Sequence, residues 1–204
     1  WMVQKRWLVL SLFILVFAIG FTGLRYFKVS ASWENYFLED DPMLVKTKEF
    51  KDIFGNDNFA AVLTQCDNSF MKENLELISE LTNEMMDSIS YADKITSLTD
   101  IEFMVGNEEG MTIEQIVPDL IPTDAASLET IRRKAYMKPH IAERLVSKDG
   151  TLSWIILKLR TFPKDSVWNK GKNAVSPEVL TGNELEHIIT KDKYQKLHPK
   201  GTGL

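Results

Sequence analysis

The sequence predicts an α+β fold, with one N-terminal transmembrane helix followed by a βαβ-containing α/β sandwich that includes a β-hairpin. Three observations predict it. Trp7 to Leu24 is a run of 18 residues without a charge, and roughly 17–25 apolar residues cross a ~30 Å hydrocarbon core. Downstream, segments with strand and helix periodicity follow in the order strand, helix, strand, helix, hairpin, an order that puts helices on one face of a sheet. Cys66 is the only cysteine, so a hydrophobic core rather than a disulfide framework must hold the domain.

Tyr26 and Phe27, mixed with Arg25 and Lys28, extend the apolar run into residues suited to a headgroup zone. Within the run only Ser11, Thr22 and the Trp7 indole are polar, and both hydroxyls can bond to backbone carbonyls one turn back. A cleaved signal peptide is the rival reading, with Lys5 and Arg6 as its basic start and Val29-Ser30-Ala31 as its cleavage site. The run exceeds the ~7–15-residue apolar region of such peptides, and Arg25 and Lys28 stand where no charge is expected. A retained helix is the expectation. The chain starts at Trp1 rather than Met and is expected to be a fragment.

Asp41 before Pro42 is the arrangement of an N-cap with proline at the first helical position, and Met43, Phe50, Ile53 and Phe54 then share a helical face that Gly55 closes. Phe59 to Cys66 is short and apolar between turn signals, a buried strand. Asn68 and Ser69 offer a cap for a long amphipathic helix from Phe70 to Ile89, in which Met71, Leu75, Ile78, Leu81, Met85 and Ile89 form the apolar stripe. Met85 and Met86 read as core packing. Lys94 to Thr99 is the second strand, completing a βαβ unit whose two strands pair in parallel or enclose a third. Gly106 to Pro122 reads as irregular, with a reverse turn at Gly106–Gly110 and one helical turn boxed by Thr112 and Gln115. A second helix spans Asp124 to Met137, with Leu128, Ile131 and Ala135 inward and Pro139 as its stop. Ile141–Ser147 and Thr151–Leu159 then flank Lys148-Asp149-Gly150 as a type I′ hairpin, its apolar second strand central in the sheet. Phe162 to Val179 is a loop, and Ser176 to Lys193 a weaker helix in which Gly182 is an unfavourable residue.

Residues 1–28 hold four basic residues and no acid, which leaves 20 basic against 29 acidic residues in the remainder, a formal charge of −9. That sign argues against nucleic acid and, by the positive-inside logic, for an extracytoplasmic domain after residue 28. Chemistry-bearing constellations are absent from the sequence. His140, His187 and His198 share no metal spacing, Glu39-Asp40-Asp41 lacks a calcium-loop pattern, and no serine sits in a Gly-x-Ser-x-Gly setting. Cys66 has no histidine nearby and reads as an inert thiol. Arg132, Arg133 and Lys134, the only basic triplet, read as a solvated helix face. No catalytic residue, cofactor-binding residue or metal ligand is expected, and the chain is not expected to be an enzyme.

The segment from Ser32 to Pro42 (SWENYFLEDDP), followed by Lys48 to Gly55 (KEFKDIFG), resembles the opening of resistance–nodulation–division (RND) exporters, in the MMPL-like branch. Val146 to Trp154 (VSKDGTLSW) is similar to that family's "lvs-dg" hairpin, and Lys193-Tyr194 with Pro199 to Gly203 (PKGTG) resembles the stretch before its second transmembrane helix. Leu38-Glu39 departs from the more usual Leu-Pro. The resemblance runs in order over nearly the whole chain. It implies a porter-like domain and the division 1–28 transmembrane helix, 29–57 linker and connecting helix, 58–162 βαβ plus hairpin, 163–204 loop and C-terminal helix leading to a second span. It also implies a proton-coupled secondary transporter in the cell membrane that exports lipidic or hydrophobic substrates. Its partners would be the lipid bilayer, the remaining transmembrane helices, a second porter domain and, in a homo-oligomer, further copies. The alternative from another class is the extracytoplasmic sensor domain of a two-span signalling receptor. A third is a binding protein released by cleavage after Ala31.

Overall fold

The computed structural model describes residues 6–23, 38, 41–54, 58–107, 110–138, 141, 144–163 and 175–203. The chain divides into two compact units, residues 1–51 and 52–204.

In the first unit, α1 (Arg6–Gly23) is an 18-residue helix. The Ser11 hydroxyl donates to the Leu8 carbonyl at 3.0 Å and Thr22 to that of Ile19 at 2.7 Å, so both polar groups are satisfied within the helix as their placement predicts. At 1.5 Å rise per residue, 18 residues give about 27 Å. Among the described residues no helix is long and apolar enough to cross a membrane. The second helix, α2 (Pro42–Phe54), begins where proline predicts: Asp41 Oδ1 accepts from the Met43 N–H at 2.8 Å. Met43, Phe50 and Ile53 are exposed, and Leu44 is the buried residue. Gly55 lies outside the described residues.

The second unit is built on a four-stranded sheet of β1 (Phe59–Gln65), β2 (Ala92–Thr96), β5 (Leu152–Leu159) and β6 (Lys200–Thr202) in the order β2-β5-β1-β6. Every neighbouring pair is antiparallel. β1 and β2 therefore run parallel with β5 between them, the enclosed-third-strand form of the βαβ unit. β5 is central because nearly all of its residues are apolar, leaving no polar face for water. Strand pleating then sorts its side chains. Ile155, Leu157 and Leu159 join Ala60, Val62 and Ile95 on one face, where Ile78, Leu81 and Met85 of α3 (Lys72–Ser88) cover them. Trp154 and Ile156 point to the opposite face and pack against a second cluster containing Ile131 and Ala135 of α4 (Ala125–Tyr136). Met86 packs partly buried on the first cluster, so both methionines serve the core.

The structure corrects several boundaries. α3 starts at Lys72, not Phe70, and its N-cap is Met71, without a side-chain hydrogen bond. Asn68 acts one step earlier, where its Oδ1 accepts from the Phe70 N–H at 3.0 Å. Met71 itself is exposed, while the other five stripe residues are buried. β2 ends at Thr96 rather than Thr99 because Ser97 Oγ accepts from the Thr99 N–H at 3.3 Å, a side-chain turn that competes with the ladder.

Two larger corrections concern strands. The segment expected to be irregular forms an antiparallel hairpin, β3 (Glu102–Asn107) and β4 (Gly110–Gln115), in which Val105 pairs with Thr112 and Glu102 with Gln115. Thr112 and Gln115 therefore sit in a strand, and residues 108–109 of the expected reverse turn lie outside the described residues. Conversely, Ile141–Ser147 contributes a single bridge, Val146 to Ser153, instead of a strand. Leu145 N–H bonds back to the Ile141 carbonyl at 2.9 Å, since Ile141 and Leu145 at spacing four suit a helical turn. The turn at Ser147–Gly150 is closed by the Gly150 N–H on the Ser147 carbonyl at 2.9 Å. Only Gly150 there has positive φ (77°), so it is not type I′, which needs positive φ at both central residues.

The C-terminal helix, α5 (Pro177–Ile189), is capped by Ser176 and ends four residues short of the expected Lys193. A 3-10 helix (Asp192–Leu197) and β6 follow it. The reversal between them passes through His198 at φ 40°. At Gly203 (φ 108°) a Cβ would sit 2.8 Å from the Phe59 carbonyl oxygen, so only glycine fits beside β1.

Candidate functional site: an apolar helix and an open groove

The residues singled out in the sequence do not converge on a reactive centre. His187 and His198 are exposed on separate elements, and His140 lies outside the described residues. No cluster of metal-ligating side chains occurs among the described residues. Cys66 follows β1 with its Sγ 3.6 Å from Ser69 Oγ, half-buried against the first core cluster. In the basic triplet, Arg133 is exposed, Arg132 lies 5.8 Å from the centre of the Tyr136 ring, and Lys134 pairs with Glu114 at 3.5 Å. Glu39 and Asp40 are outside the described residues, while Asp41 is spent as the α2 cap.

Two other features carry the surface chemistry. The first is α1. Trp7, Phe13, Phe17 and Phe21 are each at least two-thirds exposed, and so in large part are the leucines and isoleucines between them. Apolar side chains thus point outward on every side. A helix that is hydrophobic all round needs a surrounding of apolar matter.

The second is a groove of about 690 Å³ beside β2. One wall is β2 from Asp93 to Thr96, and the other is the β3–β4 arm through Ile101 to Met104 and Ile113. β2 is the outer strand of its sheet. The arm stands on Phe103, which packs on the second core cluster and lies 4.6 Å under the Lys138 ammonium, and on the Lys134–Glu114 pair. Its other face is open. Met104, Met111 and Ile113, aligned across the two strands by the pairings Met104–Ile113 and Gly106–Met111, are 71, 81 and 68 % exposed. Asp93, Asp100 and Glu102 line the groove with a single Lys94. Burial first, then the Glu102 charge, pushes the Asp100 carboxyl above its ordinary range, against the pull of Lys94.

A third cluster is structural. Glu84 of α3 accepts from Lys193 at 2.8 Å and from the Tyr194 hydroxyl at 2.6 Å, and it also pairs with Lys191. Lys193 also reaches Glu80 at 2.6 Å. Hydrogen bonds from Lys191, Lys193 and Tyr194 bring the Glu84 carboxyl down to about 2. Desolvation, then the Glu84 bond, pushes the Tyr194 phenol up to about 12. This clasp fixes the 3-10 helix on α3. Neither the groove nor the clasp is written in a local motif; both arise from residues brought together by the fold.

No protein-family model matches the chain, and no curated protein matches it.

Proposed function

We propose that this chain supplies the first membrane anchor and the extracytoplasmic substrate-guiding domain of a secondary transporter, resembling the MMPL-like branch of RND exporters and handling lipidic or hydrophobic substrates. The observation that carries the reading is α1: its large apolar side chains face outward in all directions, which in water is costly and in lipid is stabilising. The uncharged run continues from Trp7 to Leu24, within the roughly 17–25 residues that a span uses. The β1–α3–β2 unit enclosing β5 supports it, because the resemblance implies a βαβ unit directly after the connecting helix. The net charge of −9 after residue 28 supports an extracytoplasmic domain.

The division of labour follows from charge. Proton coupling needs ionisable groups within the membrane, and Trp7 to Leu24 contains none. The helix is anchor and scaffold, while the domain guides substrate by moving against its neighbours. The test is membrane extraction with flux. The chain expressed in cells stays in alkali-washed membranes, and Phe13→Lys with Phe17→Lys releases it. Reconstituted alone, it moves no protons beyond empty vesicles. A mature N-terminus beginning after Ala31, or wild-type protein washed off the membrane, overturns the anchor. Proton flux from the chain alone overturns the division of labour. In the encoding gene, further spans with a second loop domain fit the exporter, whereas one more span and a kinase fit the sensor receptor.

A further inference from the structure

We infer that the groove between β2 and the β3–β4 arm is a docking site for an extended protein segment in which apolar residues alternate with lysine or arginine. The inference does not depend on the transport reading. Its first support is an open backbone edge. β2 pairs with β5 on one side, and β3 pairs with β4 on one side; among the described residues neither has a strand on its other side. An open edge is a template for an added strand, and main-chain hydrogen bonds provide the affinity of such docking. The bulge between Ala92 and Lys94 blunts the first half of β2. Lys94 to Thr96 remains as the pairing stretch.

The second support is the apolar lining. Ile101 and Phe103 are half-buried, while Met104 and Ile113 stand exposed along the arm, and Met86 forms part of the same groove. Methionine side chains adapt to varied partners, and alternate residues of an added strand would reach this wall. The third is charge. Three carboxylates (Asp93, Asp100 and Glu102) meet one ammonium, Lys94. An incoming cation would offset the mutual repulsion of these carboxylates, whereas an anionic lipid surface would be repelled. These observations select a cationic, alternating peptide segment as the occupant.

The experiment uses the full chain in detergent and a fluorescein-labelled nonapeptide of alternating valine and lysine, read by anisotropy. Saturable binding is expected. A valine–glutamate peptide, and a valine–lysine peptide with alternate backbone amides N-methylated, should each bind about tenfold more weakly or not at all. Amide exchange should slow at Lys94–Thr96 and Ile101–Met104 when the first peptide is bound. The double substitution Asp100→Lys, Glu102→Lys should reverse the preference towards the valine–glutamate peptide, a gain that a misfolded variant cannot imitate. Absence of saturable binding, equal binding of the N-methylated peptide, an unreversed charge preference, or self-association of the chain through this face would each overturn the proposal.

Discussion

α1 and α3 are helices of nearly equal length, 18 and 17 residues, yet they solve opposite problems. α3 carries its apolar residues on one stripe. Leu75, Ile78, Leu81 and Met85 are fully buried, and its charged face meets solvent and the lysines of the 3-10 helix. α1 carries apolar residues around its whole circumference, and its two hydroxyls, on Ser11 and Thr22, are closed onto its own carbonyls. A stripe specifies a partner on one side, whereas an apolar cylinder needs apolar surroundings on every side. Helix length and total apolar content do not distinguish the two cases; the angular distribution does.

The strongest way to break this comparison is to truncate matched residues. Leu81→Ala removes a fully buried side chain from the α3–sheet core and should lower unfolding stability by about 2–5 kcal/mol. Ile14→Ala, from an exposed position on α1, should leave the urea midpoint of the folded domain unchanged by circular dichroism. Equal losses from both would mean that α1 packs as a core helix and that the contrast is false.

A smaller effect tests the polar side of α3. Glu84 titrates at its ordinary 4.5 in the unfolded chain and at about 2 when held by Lys191, Lys193 and Tyr194. Between these values the unfolded chain binds more protons, so stability contributed by the clasp is complete above pH 4.5 and is lost as pH falls towards 2. Glu84→Gln should be less stable at neutral pH and should lose less on acidification through that window. Urea midpoints at neutral and acid pH measure this. Parallel curves for wild type and variant would show that the clasp is too well solvated to matter.

The legible parts of this fold were those where period and partner agree. α3 was legible from spacings of three and four, β1 and β5 from apolar runs too short for helices, and the cap at Asp41 from side-chain chemistry. The β3–β4 arm was not. Its apolar residues Met104, Met111 and Ile113 face outward, so no buried alternation marks it, and the Thr112-x-x-Gln115 pattern imitates a helix cap. Ile141–Ser147 failed for the opposite reason, because a helical spacing was read as a strand on the strength of the Asp149-Gly150 pair. β6 is three residues long and packs through a glycine, with the Leu185 side chain 3.1 Å from where a Gly201 Cβ would stand; such a strand has no composition to read. The groove was invisible because its walls come from β2 and an unrecognised hairpin.

The smallest effect sharpens the description of α3 at its start. Met71 is the N-cap, with φ −71° and ψ 141°, the extended geometry that a capping residue adopts, but it offers no side-chain acceptor. Asn68, the residue expected to cap, is committed to the Phe70 N–H and, through its carbonyl, to Asn74 Nδ2 at 2.8 Å. Met71 is half-exposed, so replacing it removes little core. Met71→Ser places a hydroxyl next to the first-turn N–H groups, and caps of this kind contribute about 0.5–2 kcal/mol. The loss of partly exposed apolar area offsets some of that, so a gain of about 0.5–1 kcal/mol is expected. Met71→Ala separates the two terms, since it removes the same apolar surface without supplying an acceptor. Serine more stable than alanine, and at least as stable as methionine, fits an open helix start. Serine and alanine equal would show that the first-turn donors of α3 already have partners and need no cap.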